Sequence, residues 1–202
     1  MANIFKYPDG SVREIEIKKT KKTKNIAKAN LGENFETAIN ESNEYYLNKG
    51  IAAIYKKPTP VQIVKVDYPA RNKAKIVEAY YKTPSTTDYN GIYKEKYIDF
   101  EAKSCRELNF SFERIYDHQI RHLERIDNLG GIAFLIIEFS SVDEVYILPA
   151  KLLVEKYEES LKGGRKSIPY DYIKDNGYLV KQGFNPRLDY LDAVNKCFLK
   201  KK

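Results

Sequence analysis

The sequence predicts an α/β protein, a sandwich of helices around one sheet. Helical and strand periodicities alternate along the chain, and no internal repeat interrupts them. The most apolar run, Ile132-Ala133-Phe134-Leu135-Ile136-Ile137, has the short length and β-branching of a buried central strand.

The elements follow in order. Residues 1–30 lack periodicity and carry Lys18, Lys19, Lys21, Lys22 and Lys24, so they read as a flexible basic arm ahead of a single domain at 31–202. Over 33–49, Phe35, Ala38, Ile39, Tyr45 and Tyr46 fit a helix that Gly50 ends. A short strand at 51–55 precedes two β-rich stretches, 61–68 and 76–81, around the basic turn Pro69-Ala70-Arg71-Asn72-Lys73. These form a hairpin inserted at about 56–84. Two further strands, 89–93 and 97–103, flank a Lys94-Glu95-Lys96 turn. A helix over 112–128 puts Ile115, Gln119, His122 and Ile126 roughly on one face, and Gly130-Gly131 stops it. A strand at 145–148, a helix at 150–161 and a closing helix at 189–199 complete the chain.

The composition excludes several classes. No apolar run among the 202 residues approaches the ~18 needed to cross a membrane, and the first residues have no signal-peptide core. Cys105 and Cys197 lie far apart and in no CxxC, against a disulfide scaffold or a cysteine zinc finger. Inert thiols in a reduced cytoplasmic compartment are expected. The net charge is +7, distributed unevenly: residues 1–30 and residues 56–82 each carry +5, leaving −3 on the rest. Two basic attachments on a slightly acidic body suit a polyanionic partner.

One strand carries a chemical pattern. In Tyr97-Ile98-Asp99-Phe100-Glu101-Ala102-Lys103, Asp99, Glu101 and Lys103 share one face and Ile98, Phe100 and Ala102 the other. Asp88 comes within reach of the first face if the two strands pair as a hairpin. Clustered carboxylates bind hard divalent cations. A cation so held can neutralise a phosphodiester and activate water, and a neighbouring lysine can stabilise the extra negative charge of the transition state. The same alternation also describes a solvent-facing strand of cross-strand ion pairs, and Asp88 before Asn90-Gly91 also suits a turn. His118 and His122 have i, i+4 spacing but lack the glutamate of HExxH, which favours polar contacts over zinc.

Asp88…Glu101-Ala102-Lys103 matches the PD-(D/E)xK nuclease pattern. The longer strings resemble the RecU Holliday junction resolvases of that superfamily. These are Lys56-Lys57-Pro58-Thr59-Pro60-Val61-Gln62-Ile63-Val64, Ser85-Thr86-Thr87-Asp88-Tyr89-Asn90-Gly91-Ile92-Tyr93, the 97–103 strand, Asp117-His118-Gln119, Gly164-Arg165-Lys166-Ser167-Ile168 and Pro186-Arg187-Leu188-Asp189-Tyr190. They occur in family order across residues 30–195.

The resemblance implies a restriction-endonuclease-like mixed central sheet flanked by helices, with a projecting basic β-hairpin stalk. It also implies a homodimeric, magnesium-dependent endonuclease, with manganese as a substitute ion, that cuts four-way DNA junctions and leaves 5′-phosphate ends. By the resemblance, Thr86, Asp88, Glu101 and Gln119 hold the metal and Lys103 stabilises the transition state. Glu36 and Asp99 are supporting acids, and Lys56, Arg71, Lys73 and Lys75 contact DNA. A recombinase and branch-migration proteins are further implied partners. The chain departs from the family at Leu31-Gly32, where arginine usually precedes the glycine, and at Tyr116-Asp117-His118-Gln119, where His-x-His-Gln is frequent. Alternatives are a less selective nuclease of the same superfamily, or a non-catalytic DNA-binding, recombinase-modulating protein. The intact Asp88, Glu101 and Lys103 set argues against the latter.

Overall fold

The computed structural model describes residues 3–6, 12–15, 23–70, 73–82 and 86–199. Strands β1 (Asn3–Lys6) and β2 (Val12–Ile15) pair with each other, and helix α1 spans Thr23–Asn48. Then come β3 (Ala52–Lys56), β4 (Val61–Asp67), β5 (Lys75–Tyr81), β6 (Tyr89–Tyr93) and β7 (Lys96–Cys105). The short β8 (Asn109–Ser111) leads to α2 (Asp117–Asn128), β9 (Ile132–Phe139), β10 (Glu144–Pro149) and α3 (Ala150–Leu161). The chain closes through β11 (Ser167–Pro169), α4 (Tyr170–Asn176), β12 (Tyr178–Leu179), β13 (Lys181–Gln182), β14 (Leu188–Asp189) and α5 (Tyr190–Phe198).

The central sheet has six strands in the order β12-β10-β9-β7-β6-β3. Its one parallel pair is β7 with β9, joined by the α2 crossover; the other neighbours are antiparallel. Period-two alternation gives it two apolar faces. Ile98, Phe100, Ile132, Phe134, Ile136 and Ile147 join Phe35, Ile39 and Tyr46 of α1 and Leu191 and Val194 of α5 in one core. Ala133, Leu135, Ile137, Phe139 and Leu148 join Ile120 and Leu123 of α2 and Leu153 of α3 in the other. In the first core, the rings of Tyr89, Phe100 and Phe134 stack with centroids 4.9 and 4.8 Å apart, across β6, β7 and β9. Gly91 allows β3 to lie against β6: a Cβ there would come within 2.0 Å of the Ala53 carbonyl oxygen.

Strands β4 and β5 form a ladder only with each other, with a register irregularity between Ile63 and Val66. Val61, Ile63, Val64, Ile76, Val77, Tyr80 and Tyr81 are all about half exposed or more. This is the hairpin expected at 56–84, standing apart from both cores.

Three boundaries differ from expectation. The first helix begins at Thr23, ten residues ahead of the expected start at 33, and the added stretch includes Ala27, Lys28, Ala29 and Leu31, all residue types with high helix propensity. The helix expected over 112–128 is broken: a 3₁₀ turn at Phe112–Arg114 is capped by Ser111, and Ile115 and Tyr116 are extended before α2 starts. Between 162 and 189 the chain adds β11, which pairs with β8, the β13–β14 pair and α4, elements too short to show a period in sequence.

Candidate active site

The register of β6 against β7 builds the site. Tyr89 lies opposite Phe100, so Asp88 falls beside Glu101 on the face away from the aromatic stack. The two residues then grip each other reciprocally. The Asp88 N–H donates to Glu101 Oε2 at 3.1 Å, and Asp88 Oδ2 accepts the Ala102 N–H at 3.3 Å. Glu101 Oε1 accepts from Lys103 Nζ and, at 2.6 Å, from Gln119 Nε2. Gln119 reaches it from the first turn of α2, where its Oε1 accepts the Tyr116 N–H at 3.0 Å. One residue therefore fastens the helix start and meets the carboxylate.

Glu101 is fully buried, and burial is the main cause that pushes its carboxyl up from 4.5 to about 7. The Lys103 ammonium opposes the rise and the neighbouring Asp88 charge adds to it. A desolvated acid against a second carboxylate favours a cation between them. Two carboxylates, the Thr86 hydroxyl and an amide oxygen are all hard donors, which suits magnesium. Gln119 fits that set only if its amide turns, since its oxygen now faces the Tyr116 N–H and its nitrogen Glu101. Among the described residues no group of three or more His, Cys, Asp or Glu is arranged to hold a metal ion. The candidate set, with two carboxylates, is not of that kind.

Beside Asp88 opens a cleft lined by Glu36, Lys56, Lys57, Pro58, Thr59, Pro60, Thr86, Thr87 and Asp88. Glu36 enters it from α1 and forms an ion pair with Lys56 at the end of β3. Lys56, expected on DNA, is thus at the rim of the site and not on the hairpin. Lys73 and Lys75 are exposed at the far end of the hairpin, with Lys75 opposite Asp67. Arg71 lies outside the described residues.

Asp99 shares the face of Glu101 but belongs to a separate network. It is fully buried. Its Oδ2 is met by Lys57 Nζ at 2.9 Å, the Tyr97 hydroxyl at 2.8 Å and His122 Nε2 at 3.2 Å; its Oδ1 accepts the Thr87 hydroxyl. Lys57, Thr87 and Tyr97 were not singled out by sequence reasoning. Tyr97 was legible, two residues before Asp99 on one strand face. His122 was legible as the residue one turn beyond Gln119, whereas Lys57 and Thr87 meet Asp99 only through the hairpin's closure. His118 stacks on the Tyr116 ring, whereas His122 meets Asp99. Burial pushes the thiols up, Cys105 to about 11 and Cys197 to about 12, which leaves them poor nucleophiles.

The family profile described as Recombination protein U matches residues 30–196. A protein of Streptococcus gordonii named Holliday junction resolvase RecU is 50% identical over 194 residues, covering 96% of this chain and 96% of that protein. Its namesake in Streptococcus thermophilus is 49% identical over 191 residues, covering 94% and 96%. The solved structure of Archaeoglobus fulgidus Hjc, a Holliday junction resolvase, is 14% identical with a TM-score of 0.37, covering 60% of this chain and 78% of that one.

Proposed function

The chain belongs to the RecU (Recombination protein U) family, and from that premise we propose that it is a structure-selective DNA endonuclease that resolves four-way (Holliday) junctions in recombination and repair. The observation that carries this reading is the meeting of Asp88, Glu101, Lys103 and Gln119 at one point of the sheet face, in a chain about half identical to named junction resolvases along nearly its whole length.

Magnesium held by Asp88 and Glu101, with Thr86 and Gln119 completing the set, would neutralise the scissile phosphate and activate a water. The protein's own groups do the rest. Glu101 and Asp88 fix each other's geometry through their paired hydrogen bonds. Lys103, anchored on Glu101 and only 23% exposed at its side chain, offers a positive charge to the transition state. Glu36 and Lys56 close the cleft from α1 and β3. Hydrolysis with a 3′-hydroxyl leaving group gives 5′-phosphate ends.

The hairpin supplies selectivity. Lys73, Lys75 and Arg71 would contact phosphates at the open junction centre, giving affinity without base readout. A two-fold homodimer would match the junction's pseudo-symmetry and set two sites on strands of like polarity. Recombination places the protein in the cytoplasm beside a recombinase and branch-migration proteins; among the described residues no helix is long and apolar enough to cross a membrane.

The test is cleavage of a labelled mobile four-way junction beside a linear duplex of the same sequence, with magnesium and with manganese. Paired nicks in the junction alone, ligatable without added kinase, are expected. Equal cutting of both substrates would make this a less selective nuclease, and binding without cutting a recombinase-modulating protein.

A further inference from the structure

The Lys57 and Asp99 network lies where the hairpin joins the site. Lys57 is the first residue after β3, at the foot of the strand leading into the hairpin. Thr86, Thr87 and Asp88 lie on the returning side. Lys57 ties the two sides together through two hydrogen bonds and reaches β7 through a third. Its N–H donates to the Asp88 carbonyl at 2.7 Å. Its ammonium donates to Thr87 Oγ1 and Asp99 Oδ2, both at 2.9 Å. Thr87 in turn donates to the other Asp99 oxygen. Asp99 is fully buried on a central strand, and its Oδ2 also meets Tyr97 and His122.

A short loop at the root of an exposed hairpin should be among the less stable parts of a fold. Here it is bolted to β7 by charge-assisted hydrogen bonds, which are about twice as strong as neutral ones. The bolt touches none of the atoms of the Asp88 and Glu101 carboxylates. It fixes the backbone on which Asp88 stands, as outer partners orient the ligands of a metal site.

We propose that Lys57 and Asp99 are positioning residues that clamp the root of the hairpin to the Thr86–Thr87–Asp88 loop, so that a junction seated on the hairpin finds Asp88 already in place. This rests on the nuclease reading above.

The test compares Lys57→Met, Lys57→Arg, Asp99→Asn and the Lys57→Met/Asp99→Asn pair with wild type. Lys57→Met should leave junction affinity within about twofold while slowing single-turnover junction cleavage by about tenfold or more, the usual cost of removing an outer partner. Lys57→Arg, which keeps the charge and donors, should recover much of that rate. In the metal-free protein, amide exchange over residues 86–91 should quicken by about tenfold in Lys57→Met, as expected for a lost charged hydrogen bond. The double variant, which leaves no buried charge unpaired, should fold and be no slower in cleavage than the single ones. The proposal is overturned if folded Lys57→Met, or the double variant, keeps wild-type cleavage and exchange. It is overturned equally if the loss is in binding with the rate intact, since Lys57 would then be a phosphate contact. Failure of the wild type itself to cut junctions sinks the nuclease reading, while the exchange experiment still decides whether the clamp exists.

Discussion

Replacing Glu101 with glutamine should stabilise the metal-free protein at pH 8 while abolishing its cleavage. Raising the carboxyl from 4.5 to about 7 corresponds to a cost of about 3 kcal/mol for the ionised form. The sign follows from proton binding. The folded protein keeps its proton up to about pH 7 while the unfolded chain loses it near 4.5, so the cost grows through that window and is complete above it. Glutamine removes the cost but cannot satisfy every donor. Asp88 N–H meets one oxygen of Glu101, and Lys103 and Gln119 meet the other. Leaving one of these donors poorly matched offsets about 1–2 kcal/mol. A net gain of about 1–2 kcal/mol at pH 8 remains, roughly 4 °C in Tm for a chain of this size. Thermal unfolding of both proteins without metal, at pH 8 and pH 5, reads it directly. The gain should be largely gone at pH 5. Added magnesium should raise Tm for the wild type only, by linkage to binding. A variant less stable than wild type by the same margin at both pH values would mean that the Glu101 charge stabilises the folded state, the opposite of a burial cost.

Other expectations follow from the same geometry. Lys103→Ala should lose about 10²–10³-fold in single-turnover rate at saturating magnesium, with metal affinity, followed by calorimetry, little changed. Neutralising Lys73 and Lys75 together should make the slope of log K against log salt for junction binding shallower by about 1.8, at ~0.9 per phosphate contact. Duplex binding and the melting curve should change far less, because the hairpin packs on neither core.

The fold was legible wherever burial imposes a period. Phe35, Ala38, Ile39 and Tyr46 mark one buried helix face, and the 132–137 run forms the first six residues of β9. Alternation along 97–103 placed Asp99 and Glu101 on one sheet face, and the strand pairing brought Asp88 to Glu101 as expected. Gln119 was legible only through family resemblance. Nothing in local sequence shows that a helix starting at Asp117 aims its third side chain at a strand eighteen residues earlier. The break at Ile115 and Tyr116 was hidden because apolar residues on both sides keep a helical spacing. The Lys57 clamp was hidden for a different reason. It joins residues 57, 87 and 99, brought together by the return of a hairpin, and such a contact has no period at all.

A metal site built on Asp88 and Glu101 makes junction cleavage depend on both carboxylates. The most direct measurement follows a labelled mobile four-way junction with magnesium, wild type beside Asp88→Ala, scoring binding and cleavage in the same samples. The wild type should nick the junction on strands of like polarity. Asp88→Ala should bind it at least as tightly, having lost a negative charge that repels phosphate, and leave it intact. Cleavage by Asp88→Ala at the wild-type rate would place the chemistry away from Asp88 and Glu101.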